Sequence, residues 1–241
     1  MVFEIGTSLD LNRCAHVLIA GQTGSGKSVC MNALICEAVR KAPDAEMLFI
    51  DLKRVELSAY KHLRQCVAFE TTEAGAIAVM RYAEMVMESR YEVMEEDRVK
   101  LFQGPPVFVF IDEFADMSLV SREFRRLTAK IARLGRAARV HIVAATQYPT
   151  RQVIDTQMKY NMPTKICFRT SRTGSMVVLD HPGAEKMSDA GEGIIQRSDG
   201  TEEYFRGVMV PDTEIFELVD RNAGTHPARV MYQRLRKVLT E

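Results

Sequence analysis

An excess of charge of either sign is missing from this sequence: 32 Lys+Arg are balanced by 32 Asp+Glu, for a formal net charge of zero. Bulk electrostatics therefore advertise neither a nucleic acid nor a membrane, and any such partner has to be argued from local clusters. Long apolar runs are missing too. None approaches the ~20 residues that span a bilayer, and no basic-then-apolar leader opens the chain. Cysteine is sparse. Cys14, Cys30, Cys36, Cys66 and Cys167 are scattered, odd in number and without a CxxC pair, which predicts reduced thiols in a cytoplasmic protein over disulfides or zinc. Internal repeats and low-complexity tracts are absent. What remains is 46% hydrophobic and 27% charged, enough for a self-sufficient core and outside the disordered and collagen-like classes. A chain of 241 residues corresponds to between one and two domains.

Short apolar runs alternate with helical patterns, the signature of a mostly parallel sheet flanked by helices. Strands are predicted at His16–Ala20, Met47–Asp51, Val107–Ile111, His141–Ala145 and Thr164–Phe168. Helices are predicted over 27–41, 73–98 and 121–134, the first stopped by Ala42-Pro43-Asp44. Met80, Ala83, Met87, Tyr91 and Met94 fall on one stripe of the long helix, and that stripe is expected to be core packing. From about 212 the chain is helical, with a break at Gly224–Pro227. The expected organisation is one α/β domain over 1–220 and a helical appendage over 221–241.

Gly21-Gln22-Thr23-Gly24-Ser25-Gly26-Lys27-Ser28 satisfies GxxxxGK[ST] at every fixed position. A strand precedes it and a helix follows, as a phosphate-binding loop requires. Glycines let consecutive backbone N–H groups turn around a phosphate, and the helix N-terminus adds partial positive charge at the same point. Lys27 is expected to reach the β- and γ-phosphates and Ser28 to ligate Mg²⁺. The chain is expected to bind a nucleoside triphosphate.

Such a loop needs a metal-holding acid on a neighbouring strand. Val107–Ile111 runs straight into Asp112-Glu113. Asp112 is placed to hold Mg²⁺ through water, and Glu113 to orient and deprotonate the attacking water. Adjacent carboxylates point to ATP hydrolysis in the manner of RecA-like motors, giving a RecA-like P-loop NTPase as the expected fold. The next strand ends in Ala145-Thr146-Gln147, which makes Gln147 a candidate sensor of the γ-phosphate or lytic water, the alternative being a strand-capping amide.

Seven basic residues (Arg122, Arg125, Arg126, Lys130, Arg133, Arg136, Arg139) and one acid, Glu123, occupy a single stretch. Helical periodicity puts Arg122, Arg126, Lys130, Arg133 and Arg136 on one side, opposite Phe124, Leu127, Ile131 and Leu134. The run lacks compensating acids of its own, so an anionic partner is expected. In a ring-forming ATPase, one such arginine can stabilise γ-phosphate charge in the neighbouring subunit.

His16–Asn32 (HVLIAGQTGSGKSVCMN), Phe49–Tyr60 (FIDLKRVELSAY) and Val109–Met117 (VFIDEFADM) resemble the FtsK/SpoIIIE motor domain. So do Ala132–Gln147, Val153–Phe168 and Leu179–Ser188, in family order from about residue 3 to about 220. The resemblance implies a DNA-stimulated ATPase that forms hexameric rings and pumps double-stranded DNA through the centre. It puts the arginine finger at Arg136 in LGRAA, and places Lys159 and Arg172 on channel loops touching DNA phosphates. Asp51 and Lys53 match the family's IDPK strand end, with individual roles unassigned. Two departures stand out. Tyr148 occupies a position that is basic in many relatives, and Met176 one where an arginine usually follows the serine. The segment between Arg98 and Pro105 is also shorter than in chromosome-segregation motors. No membrane anchor and no winged-helix module is recognisable, so the chain is expected to be a motor core, either taken from a larger, membrane-anchored protein or belonging to a compact mobile-element relative. A motor for protein substrates in specialised secretion is the alternative.

Overall fold

The short apolar runs become strands because each is buried on both faces, which requires a sheet covered by helices on either side. The computed structural model describes residues 1–11 and 13–240. A two-stranded hairpin, β1 (Val2–Glu4) and β2 (Ser8–Asp10), precedes β3 (Val17–Ala20), α1 (Lys27–Lys41), β4 (Glu46–Ile50) and β5 (Cys66–Glu70). The chain continues through α2 (Glu73–Glu96), β6 (Val107–Ile111), α3 (Phe114–Val120), α4 (Arg122–Leu134), β7 (Val140–Thr146), α5 (Thr156–Asn161), β8 (Thr164–Phe168) and α6 (Arg172–Leu179). It ends with β9 (Glu192–Gln196), β10 (Glu202–Arg206), α7 (Asp212–Arg221) and α8 (Ala228–Thr240).

The main sheet has the order β10-β9-β8-β3-β7-β6-β4-β5. Strands β8 through β5 run parallel, and β9 and β10 add an antiparallel edge. Strand β3 therefore lies between β8 and β7. The chain leaves β3 towards β4 and later returns to its other side, which makes the C-terminal end of β3 a topological switch point, where α/β sheets bind ligands.

Successive β3 side chains point to opposite faces. Leu18 and Ala20 join the core shared with α2, α4, α6 and α8, while Val17 and Ile19 join the core under α1, the β1–β2 hairpin and α7. Met80, Ala83, Met87 and Met94 are buried as the stripe predicts, and the Tyr91 hydroxyl donates to the Leu134 carbonyl at 2.7 Å. Helix α8 is docked. Tyr232 is buried edge-on to Tyr82 at 5.6 Å, and its hydroxyl donates to Glu70 at 2.7 Å. Strands β1, β2, β5, β9 and β10 lie outside the sequence-based strand set. Each is a three- to five-residue segment that carries at least one acidic residue.

Two histidines are locked in the sheet. The Ile142 N–H donates to His16 Nδ1 at 3.0 Å, and the His141 Nδ1 pairs with the Ala15 carbonyl at 2.8 Å. Burial pushes His16 down to about 3, helped by His141, and pushes His141 down to about 4. Both stay neutral in the folded chain but take up protons near 6.5 once unfolded. Their contribution to stability is therefore complete above pH 6.5 and is lost as pH falls below it. The expected slope is about 1.4 kcal/mol per pH unit for each histidine. Urea midpoints measured between pH 7.5 and pH 5 check this, and a flat profile would contradict the neutral pair.

Candidate functional site

The residues after β3 close into a phosphate cradle held by its neighbouring strands. The Gly21 N–H donates to the Thr146 carbonyl at 3.3 Å and the Gln22 N–H to the Arg169 carbonyl at 2.9 Å, fastening the loop to the ends of β7 and β8. Two positions require glycine. A Cβ on Gly21 would lie 2.5 Å from Ser25 Oγ. Gly26 has φ +118, and a Cβ there would meet the Gly191 backbone at 2.9 Å. The Gly191 N–H donates to the Ser25 carbonyl at 2.9 Å, so the loop before β9 closes the crown of the cradle. No sequence signal pointed to Gly191.

The cradle holds polar groups that the folded chain does not satisfy. Ser25 Oγ is buried without a hydrogen-bond partner among the described residues. Lys27 is only 6% exposed. Burial lowers the pKa of its ammonium, while Glu113 and Asp112 pull it back up. A buried ammonium and an orphaned hydroxyl at a helix N-terminus fit a polyphosphate.

The acids opposite are crowded. Burial is the largest cause pushing the Asp112 carboxyl up to about 6, followed by repulsion from Asp51, Glu56 and Glu113, against a smaller opposing pull from Lys53. Such a site is short of positive charge, as a carboxylate that meets a divalent cation should be. Among the described residues no three His, Cys, Asp or Glu side chains form a cation cage. A Mg²⁺ here would be held by Ser28 and Asp112 together with phosphate oxygens and water.

Because the folded Asp112 pKa lies above the ordinary 3.8, its ionisation costs the nucleotide-free fold stability at neutral pH, and that cost is relieved progressively as pH falls from about 6 to 3.8. Asp112→Asn is therefore expected to raise the stability of the nucleotide-free chain by about 1–3 kcal/mol, while Mg²⁺-dependent hydrolysis is lost. Denaturant midpoints and a phosphate-release assay check the two halves.

Glu113 caps α3 and is itself surrounded by donors. It accepts from Thr146 Oγ1 at 2.7 Å, from the Gln147 N–H at 3.0 Å and from the Ala115 N–H at 3.4 Å. Lys53 Nζ stands 3.5 Å away, but at 40% exposure it contributes little. The Gln147 side-chain carbonyl accepts from Thr23 Oγ1 at 2.8 Å, which joins the strand tip to the cradle. Asp51 is buried and accepts the N–H groups of Arg54 and Leu57 at 2.8 and 3.0 Å. It shapes the turn in which Arg54 takes a left-handed conformation. Thr146, Glu56 and Asp51 had no role in the sequence reading. Thr146 meets Glu113 from the neighbouring strand, and Glu56 acts on Lys27 and Asp112 only through its charge, so spacing along the chain could not reveal them, whereas the partners of Asp51 lie in its own turn.

The remaining residues lie elsewhere. Arg136 is exposed in the turn after α4, which ends at Leu134, so it is not part of that helix face. Neighbouring Gly135 sits against His16, at the start of β3, whereas the cradle follows its end. The basic face of α4 needs correcting in part, because Arg126 and Lys130 meet acids carried by α2. Lys130 Nζ lies 2.8 Å from both Glu84 and Glu88, Arg126 lies 3.5 Å from Glu84, and Glu123 pairs with Arg81 at 2.6 Å. One helix read alone could not show acids carried by its neighbour. Lys159 pairs with Asp180, whereas Arg172 opens α6 and is exposed.

A sequence profile of the FtsK/SpoIIIE family matches residues 4–104 and 99–151. The chain belongs to the FtsK/SpoIIIE family. Within it, the DNA translocase SftA of Bacillus subtilis (strain 168) is 33% identical over 94% of this chain and 26% of its own length. The DNA translocase FtsK of Streptomyces avermitilis is 35% identical over 77% of this chain and 24% of its own. The chain thus spans about a quarter of the length of these family members. Among solved structures, the pCW3 conjugation coupling protein TcpA with ATPγS superposes with a TM-score of 0.79 at 24% identity, covering 98% of this chain and 70% of that one. The cytoplasmic domain of the Thermomonospora curvata type VII secretion ATPase EccC gives 0.78 at 23% identity, covering 92% and 30%. These two likenesses carry the fold: an α/β domain with a mostly parallel sheet.

Proposed function

We propose that this chain is the ATP-hydrolysing core of a double-stranded DNA translocase, working as a homo-oligomeric ring on the cytoplasmic side of the membrane. The observation that carries the reading is the convergence of Lys27, Asp112, Glu113 and Gln147 at the C-terminal edge of three adjacent strands, β3, β6 and β7. The family's DNA translocases supply the substrate class. Among the described residues no helix is long and apolar enough to cross a membrane.

Residues Gly21 to Ser28 bind the triphosphate through backbone N–H groups, with Lys27 on the β- and γ-phosphates. Ser28 and Asp112 hold Mg²⁺, which when bound supplies positive charge to the phosphate oxygens. Glu113 turns one carboxylate oxygen towards the attacking water and takes its proton. Gln147, tied to Thr23, reads whether the γ-phosphate is present. Arg172 meets DNA phosphates, while Lys159 has to exchange Asp180 for a phosphate before it can do the same.

Steady-state hydrolysis with and without duplex DNA tests the reading. Duplex is expected to stimulate hydrolysis several-fold, and the stimulation should fall with salt as phosphate contacts are screened. Stimulation by a peptide and not by duplex would transfer the chain to the protein-secretion motors.

A further inference from the structure

The two departures from the family's basic pattern, Tyr148 and Met176, meet in space. They line one cavity of about 470 Å³ together with Pro149 and Val177, between the loop after β7 and the start of α6. Gln22 and Gln147 form its wall on the nucleotide side. Tyr148 is 60% exposed and Met176 44%, so apolar surface is presented to solvent beside the ATP site. Among the described residues no carboxylate lines this cavity. Arg151 does line it, and exposed Arg172 stands between the lining residues Ser171 and Thr173.

We propose that this cavity takes an unpaired nucleobase from a single-stranded DNA segment, stacked on Tyr148. The inference rests on the translocase reading and deepens it by naming a second form of substrate. The chemistry required is a flat apolar body attached to an anionic backbone. Tyr148, Pro149 and Met176 offer a stacking surface of the kind that single-strand binders use. Arg151 and Arg172 offer cations for the flanking phosphates. The side-chain amides of Gln22 and Gln147 can pair with the polar edge of a base. A duplex keeps its bases stacked internally and presents only phosphate and groove, so it leaves an apolar cavity of this kind unused. An acidic peptide would match the charge but has less need of a planar wall. Because Gln147 also accepts from Thr23 of the phosphate loop, a base in the cavity touches the same amide that reads the γ-phosphate.

The test titrates the chain, with a non-hydrolysable ATP analogue, against labelled oligo(dT) and labelled duplex of equal length. The oligonucleotide is chosen longer than a single-strand site size of roughly 4–16 nucleotides. Tyr148→Ala is expected to weaken oligo(dT) binding at least about 5-fold, the lower end for one stacked base, and to leave duplex affinity unchanged. Tyr148→Phe keeps the ring and should bind oligo(dT) like the unaltered chain. ATP affinity and circular dichroism report that each variant is folded. Duplex binding without oligo(dT) binding would overturn the base cavity and leave the translocase reading standing, as would an equal loss of both ligands in Tyr148→Ala. Failure of both nucleic acids to bind, with an acidic peptide saturating the chain in a Tyr148-dependent way, would overturn both.

Discussion

Glu113→Gln should stop hydrolysis while leaving ATP bound, with a fall of at least ~10²-fold, the lower bound for losing a general base. The hydrogen bonds around the residue explain why binding survives. The carboxylate accepts from Thr146 Oγ1 and from the Gln147 and Ala115 N–H groups, and a glutamine amide oxygen in place of Oε1 can keep all three, the Gln147 N–H at 3.2 Å. What the amide cannot do is take a proton. Lys27, Ser28 and Asp112 are untouched, so equilibrium affinity for a labelled ATP analogue should change little. Thr146 and Ala115 both donate to Oε1, so Oε2, which shares the Gln147 N–H, is the oxygen with a lone pair left for water. A pre-steady-state burst of phosphate that matches the unaltered chain would show that another group activates the water.

The machinery that lies in one run of sequence was readable because its chemistry is local. The phosphate loop is eight consecutive residues between a strand and a helix, and α1 begins at Lys27 as the motif requires. The Asp112-Glu113 pair follows an uninterrupted apolar strand, so its position was legible as well. Parts of the site that depend on sheet order were not. Thr146 reaches Glu113 across the β6–β7 ladder, and Gly191 reaches Ser25 from a loop 166 positions further along the chain. The basic face of α4 shows the same limit from the opposite side. Arg126 and Lys130 looked uncompensated because their partners Glu84 and Glu88 sit on α2, more than 30 residues earlier. Helical periodicity tells which side of a helix a residue takes and says nothing about what the next helix puts there.

Arg136→Ala should nearly silence an assembled ring without weakening ATP binding. The expected loss is roughly 10³–10⁵-fold, by the precedent of arginine fingers supplied in trans. The fold explains why the arginine cannot serve its own site. Arg136 lies before β7 begins at Val140, and Gln147 lies just after it ends at Thr146. Seven strand residues at roughly 3.3 Å each separate the two by about 20 Å, beyond the reach of one side chain. Its exposure at that far edge suits contact with another copy. Arg136→Lys should rescue poorly, since an ammonium lacks the planar fork that holds two phosphate oxygens. Mixing decides between trans and cis. Lys27→Ala chains cannot bind ATP and Arg136→Ala chains cannot supply the finger, so each is inactive alone. In a mixed ring some interfaces join an intact cradle to an intact arginine, and activity should partly return. A ring that fires only in strict sequence would stay silent, so the unaltered chain is also assayed across a dilution series. If hydrolysis per chain does not change down to clear monomer, and Arg136→Ala is still inactive there, the arginine acts within its own subunit and no ring is needed to complete the site.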